Sequence, residues 1–445
     1  MQTQDAVETI HPLLSRLNDA RRATDEIFTL VHPGFLHERP VAERHRLIFY
    51  LGHLEAFDWN LLHSRILDLK PFHPSFDRLF AFGIDPVGGG LPNDRPEDWP
   101  ALEDIHRYNQ QVRQTLDQAL SRLTLDSSVP AAGTDFTPSI LLNTAIEHRL
   151  MHAETLAYLL HQLPLSALKP PAPPVSHEAY PLPFGRLPIP EGTASLGLSD
   201  AETFGWDNER GPQRVTVPAF TMDRFQVTNG QYLEFIEAGG YDNPAFWEAS
   251  DWKWRAEKKI QHPVLWKKAG DQWIYRRLFS EGPLPLDWPV YVSHAEAAAY
   301  ARWKGLGLPT EAQWHRAAYG TPEGPERDYP WGSEPPGPAN GNFDFQNWDP
   351  VSVDRYHPGQ SAFGIWGLLG NGWEWTSDRF EPFPGFRPAS FYPGYSADFF
   401  DGKHYVMKGG SARTAACLLR RSFRNWFQPH YPYGYAGFRC VGAGE

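Results

Sequence analysis

Two imidazoles stand four residues apart in Glu147-His148-Arg-Leu-Met-His152-Ala-Glu154. On a helix they leave one face with Cβ atoms about 5–6 Å apart, a spacing at which two ring nitrogens can chelate one metal ion. Glu154 lies two residues beyond His152, roughly 200° around the helix, so it is read as orienting a neighbour or as structural, not as a ligand. A third imidazole, His53, follows Gly52 in Tyr50-Leu-Gly-His53-Leu-Glu-Ala-Phe-Asp-Trp-Asn60 and shares a helical stripe with Phe49, Ala56 and Asn60. Alone, a histidine there packs in a core; beside the pair it completes a set of three. Three neutral imidazoles leave half an octahedron open, as non-haem iron needs for substrate and dioxygen, and zinc accepts the same ligands. Spacing does not choose between the metals. His45, His63 and His161 are read as solvent-facing or structural.

Such a set needs rods to hold it. Helix-period apolar residues mark about His11–Val31, Ala42–Leu69, Trp99–Leu123 and Phe136–Leu163, separated by Pro- or Gly-rich connections. Four helices fit an antiparallel bundle with ligands facing inward. One connection, Pro71–Pro96, is long enough to be functional or mobile. The segment 169–183 opens with Lys-Pro-Pro-Ala-Pro-Pro-Val and reads as a stiff linker between a helical domain, 1–168, and a second domain, 184–445. In the second domain short strand-like runs, such as Arg214–Val217 and Val406–Lys408, alternate with long Gly/Pro/Trp/Asn loops. Only two helices are expected there, Thr228–Ala238 and Ser293–Lys304, the latter opened by the capping box Ser293-His-Ala-Glu296. The fold class is thus α followed by α+β.

The 445 residues carry 41 Lys plus Arg against 53 Asp plus Glu, a net charge of −12, which disfavours nucleic acid and anionic membranes as partners. Apolar runs fall short of the about 18 residues a membrane span needs. Two cysteines, Cys417 and Cys440, make no disulfide framework, and Met1–Ile10 has no charged-then-apolar leader; together these favour a reducing cytoplasm. The sequence leaves the oligomeric state open, a monomer included.

The second domain carries the most specific text. Pro289–Trp303 followed by Gly307-Leu-Pro-Thr-Glu-Ala-Gln-Trp314, then Gly370-Asn-Gly-Trp-Glu-Trp-Thr376, Gly409-Gly-Ser411 and Ala436-Gly-Phe-Arg439, resembles the formylglycine-generating-enzyme fold, which is C-type-lectin-like. That enzyme's close cysteine pair is missing, because Cys417 and Cys440 stand 23 positions apart. The first domain resembles a DinB-type four-helix domain through His148, His152 and Glu154. The fusion of the two resembles the ergothioneine sulfoxide synthases and their selenoneine-forming relatives. The resemblance implies iron(II) held by His53, His148 and His152, dioxygen as co-substrate, and carbon–sulfur or carbon–selenium bond formation at imidazole C2 of hercynine. It implies substrate binding at Arg424-Asn425-Trp426-Phe427, where Asn425 holds a carboxylate and the aromatic rings face a trimethylammonium, in a crevice supplied by both domains. Tyr431, Tyr433 and Tyr435 receive no role.

Departures from the family's pattern matter as much. Relatives carry a proton-donor tyrosine after the Trp-Glu-Trp-Thr motif or in the long loop. Here those segments read Asp378-Arg-Phe380-Glu-Pro-Phe383-Pro-Gly-Phe386 and Leu79-Phe-Ala-Phe82. No catalytic acid is assigned, since a phenyl ring donates no proton. Met151 stands where some relatives place a glutamine against the substrate. These differences, and the loop Phe80–Gly90, point to the selenoneine synthase branch with a selenosugar donor; γ-glutamylcysteine or cysteine is the alternative. Arg78 and Arg95 are candidates for a donor carboxylate or plain surface charges. A zinc-dependent thiol transferase and a metal-free lectin-like binding module are the competing classes.

Overall fold

Helix-forming sequence with apolar periodicity gives, among the described residues of the first part of the chain, five α-helices: α1 Ile10–Thr29, α2 Leu47–Leu62, α3 Pro74–Leu79, α4 Leu102–Leu120 and α5 Pro138–His161. The computed structural model describes residues 10–81, 94–123, 136–171, 185–199 and 204–444. The expected linker, 169–183, lies outside the described residues from 172 onward, as does most of the loop text at 82–92. The chain divides into two compact units, Met1–Ala172 and Pro173–Glu445.

In the first unit α1 packs on α5, and α2 packs on both α4 and α5. α4 is a simple amphipathic rod whose buried stripe is Ile105, Tyr108, Val112, Leu116 and Leu120. α2 and α5 are buried on most sides, so their polar residues enter the interior with their apolar ones. α5 starts cleanly, with Pro138 in the first turn and the Thr137 hydroxyl accepting from the Ile140 amide at 3.1 Å. α2 starts five residues later than its periodicity suggests. Arg46 is extended and its side chain donates to Asp94 at 2.9 Å, tying the far end of the long connection to the start of α2. That connection also holds the short α3, six residues whose length gives little periodic signal.

The second unit holds four described helices, not two: α6 Asn229–Glu237, α7 Ala249–Lys258, α8 His294–Trp303 and α9 Glu311–Tyr319. α6 and α8 are the expected pair, with Thr228 and Ser293 as caps. α9 opens with the same device, Thr310 and Gln313 bonding reciprocally, but at nine residues it carries little periodic signal in the sequence. α7 is so rich in charge that its periodicity is faint.

Twelve described strands follow in order: β1 Arg186–Ile189, β2 Gly192–Leu196, β3 Gln213–Val217, β4 Phe220–Asp223, β5 Trp266–Ala269, β6 Gln272–Arg276, β7 Glu281–Pro283, β8 Gly372–Arg379, β9 Tyr405–Gly410, β10 Asn425–Phe427, β11 Ala436–Gly437 and β12 Val441–Ala443. They form small sheets, of which the four-stranded one runs β10-β9-β8-β11. Three separated motifs meet on it. The Glu374 carboxylate of β8 accepts from Arg439 at 2.6 and 2.7 Å and from the Trp314 indole at 2.8 Å, all fully buried. The motif residues that mark this fold therefore tie its loops to one strand. At its edge Gly370 adopts φ +91°, and a Cβ there would lie 2.5 Å from the Asn342 carbonyl oxygen, so only glycine turns the chain into β8.

Candidate metal centre

His53 on α2 and His148 and His152 on α5 come together, one ring nitrogen from each lying within 4.8 Å of the others. They are the one such grouping of His, Cys, Asp or Glu side chains among the described residues. All three are at most 2 % exposed. Ring centroids stand 4.5 Å apart for His148–His152, 4.9 Å for His53–His152 and 5.2 Å for His53–His148.

The ring planes are held from outside. His148 lies flat on Phe57, at 3.4 Å and 9°, and His53 stacks on Phe49 at 4.7 Å. His53 Nδ1 donates to the Phe80 carbonyl at 2.7 Å, which leaves Nε2 as the lone-pair nitrogen. That buried Nε2 has no hydrogen-bond partner among the described residues. Gly52 makes the arrangement possible: a Cβ at this position would fall 2.5 Å from the Phe80 ring, so a larger residue would push away the segment that supplies the carbonyl.

Burial, which penalises charge, lowers the His53 pKa to about 4 and holds His148 and His152 well below the ordinary imidazole value. Neutral rings are what a metal requires. The Nε2 atoms of His148 and His152 face each other at 3.2 Å. Two nitrogens bonded at about 2.0–2.1 Å to one ion span that distance when they subtend about 100°. The donor set and its protonation thus fit a divalent metal with open positions, and they fit iron and zinc alike.

The sequence reading missed the charged layer beside this cluster. Arg149 is fully buried and donates to Asp58 at 2.7 Å and to Glu55 at 3.0 Å, both on α2. The signal was available: Glu55, Asp58 and Arg149 stand on helices too apolar to expose them all. Glu154 is buried on α5, and Met151 is half-buried there. Arg78 and Arg95 are exposed, the latter paired with Asp98 at 3.3 Å.

In the second unit Asn425–Phe427 form β10, paired with Tyr405–Met407 of β9, and Arg424 stands just before the strand. Arg424 points inward: its guanidinium donates to Glu311 and to the Glu381 carbonyl, each at 3.0 Å, and lies 4.1 Å over the Phe383 ring. Asn425 is half-buried, and its Oδ1 accepts from the Trp426 amide at 2.8 Å, leaving its NH2 group outside that bond. Trp426 stacks on the buried Phe380 at 4.2 Å and 8°, with Tyr395 and Phe399 each 5.5 Å away. Phe427 stacks on Tyr431 at 4.7 Å. The structure brings Phe380 to Trp426 and Phe383 to Arg424, making one aromatic cluster of residues that the sequence treated as two groups. Cys417 is half-buried and Cys440 buried, and neither is in a disulfide among the described residues.

Residues 16–156 match the DinB superfamily, and residues 180–443 match the Sulfatase-modifying factor enzyme 1-like domain. The hercynine oxygenase of Mycolicibacterium smegmatis is 36% identical over 318 residues, covering 68% of this chain and 72% of that protein. The hercynine oxygenase of Mycolicibacterium thermoresistibile is 36% identical over 75% of this chain and 74% of its own. Ergothioneine biosynthesis protein 1 of Neurospora crassa is 29% identical over 91% of this chain, which spans 54% of that protein. With a DinB domain ahead of a sulfatase-modifying factor enzyme 1-like domain, and with this degree of identity over most of their length, the chain belongs to the family of the hercynine oxygenases.

Proposed function

We propose that this chain is an iron(II)- and dioxygen-dependent enzyme that joins a chalcogen donor to imidazole C2 of hercynine. The observation that carries the reading is the convergence of three buried, neutral imidazoles, in a chain whose relatives are named for hercynine oxygenation. His53, His148 and His152 would hold the iron. When bound, it supplies the redox chemistry by which dioxygen oxidises the donor and the carbon–chalcogen bond forms.

The chain's own residues do the rest. Phe80, through its carbonyl, keeps the His53 proton on Nδ1 and its lone pair on Nε2. Phe57 and Phe49 hold the ring planes and exclude water. The Asn425 NH2 group would hold the hercynine carboxylate, and the faces of Trp426 and Phe427 would receive its trimethylammonium, at about 0.5–2 kcal/mol each. Arg424 would serve the substrate indirectly, by anchoring β10 through Glu311 and Glu381.

For the donor we favour a selenosugar over γ-glutamylcysteine or cysteine. Phe380 lies flat on Trp426, and neither it nor Phe383 can donate a proton. A selenolate is a more acidic and softer nucleophile than a thiolate and makes a smaller demand on acid–base help. Metal analysis of anaerobically purified protein, oxygen uptake with hercynine, and mass spectrometry of products from the three donors test the reading. Iron, hercynine-dependent uptake and a selenium adduct are expected. A zinc-loaded protein indifferent to oxygen would overturn it, and a sulfur adduct alone would replace the donor.

A further inference from the structure

We propose that Arg149 is a positioning residue whose buried ion network sets the register between α2 and α5, and so the separation of His53 from His148 and His152. This rests on the triad's being a metal centre. Arg149 follows His148 by one residue and leaves α5 about 100° further round, away from the imidazoles. Its Nη2 donates to Asp58 at 2.7 Å and to the Leu54 carbonyl at 3.0 Å. Its Nη1 donates to Glu55 at 3.0 Å and, more weakly, to the Thr24 hydroxyl of α1 at 3.4 Å. Glu55 and Leu54 flank His53 by two residues and one, so the fork grips α2 right beside the ligand it must place.

The grip extends through the unit. Arg113 of α4 donates to Glu55 at 2.6 and 2.9 Å and to both carboxylate oxygens of Asp25 on α1 at 2.7 Å. One set of ion pairs therefore crosses α1, α2, α4 and α5. Other polar ties join α1 to α5 (Arg16 to Asn143, 2.9 Å), α1 to α4 (Arg21 to Asp117, 2.7 Å) and α4 to α2 (Asn109 to the Leu51 carbonyl, 2.8 Å), whereas the Arg149 fork joins α5 directly to α2, the two helices that carry the imidazoles. Burying paired charges adds little to stability, and its attested use is to fix register. A planar guanidinium bonded to two carboxylates one turn apart admits a single register.

The test is Co(II) binding to the metal-stripped full chain, read by affinity and by the ligand-field spectrum. The variant Arg149→Met/Glu55→Gln/Asp58→Asn removes the fork and leaves none of the three positions charged. It should fold by circular dichroism yet bind Co(II) about 10–100-fold more weakly, with a shifted spectrum, as when a ligand's outer support is lost. Arg149→Lys, which keeps the charge without the fork, should fall between it and the native chain, and it carries the same comparison if the triple variant fails to fold. A folded variant with native affinity and spectrum overturns the positioning role alone. A native chain that takes up no Co(II) overturns the metal centre and this proposal with it.

Discussion

The two units place their candidate groups by opposite means. In the helical unit the imidazoles project from regular rods, and the buried Arg149, Glu55 and Asp58 network stands beside them rather than among them. In the β-rich unit the aromatic strand β10 is three residues long and is held by charges directly beneath it, through Arg424 and Glu311. A site that needs neutral donors keeps ions at a distance; a loop-rich frame has little else to keep it in place. The same sequence signal, a cluster of polar residues, therefore marks chemistry in one unit and framework in the other.

Removing a ligand tests the first half of that contrast most severely. His148→Ala or His152→Ala should abolish iron retention and turnover, measured by metal analysis and product formation, while the second unit keeps its fold. Breaking the frame should do the reverse. Glu374→Gln leaves Arg439 buried without its counter-charge and should destabilise the second unit by about 3–5 kcal/mol, seen in chemical denaturation, with metal content per folded chain unchanged. Gly52→Ala pushes on Phe80 and should weaken metal binding about 10–100-fold, by loosening the carbonyl that orients His53.

Smaller effects sharpen the contrast. His294 on α8 is buried, which lowers its pKa to about 3, and its Nε2 donates to the Thr376 carbonyl at 3.2 Å. The unfolded chain takes up a proton there below about pH 6.5 and the folded chain only near 3, so stability is full above 6.5 and falls as the pH drops through that window. The loss at pH 5 should be about 2 kcal/mol. His294→Gln should remove that part of the pH dependence, seen as a flatter unfolding free energy between pH 6.5 and 5. Smallest is Trp426→Leu, which should raise the KM for hercynine by a factor corresponding to about 0.5–2 kcal/mol, with little change in metal content.

The helical pattern was legible because α4 and the faces of α1 repeat at the helical period, and the triad was legible because two of its members share one turn of α5. The Phe80 carbonyl was not, since a main-chain acceptor leaves no trace in residue type. The ion network was legible only by half: helices as apolar as α2 and α5 must bury some of Glu55, Asp58 and Arg149, but with both buried on most sides periodicity does not say which partners they meet. In the second unit, α7 and α9 were missed because short helices held by caps and tertiary contacts carry little periodic signal. Phe380 was noted for the phenol it lacks, whereas its stacking on Trp426 needed the path of β8 into its following loop.

The bond from His53 to residue 80 comes from the main chain. Replacing the side chain at 80 leaves that acceptor in place, so the tautomer of one prospective ligand is written in the path of the backbone and withstands point changes there. Insertion of a single residue between Leu79 and Phe80 would instead rotate the carbonyl away, and the basicity of the imidazole would change without any alteration to the three histidines.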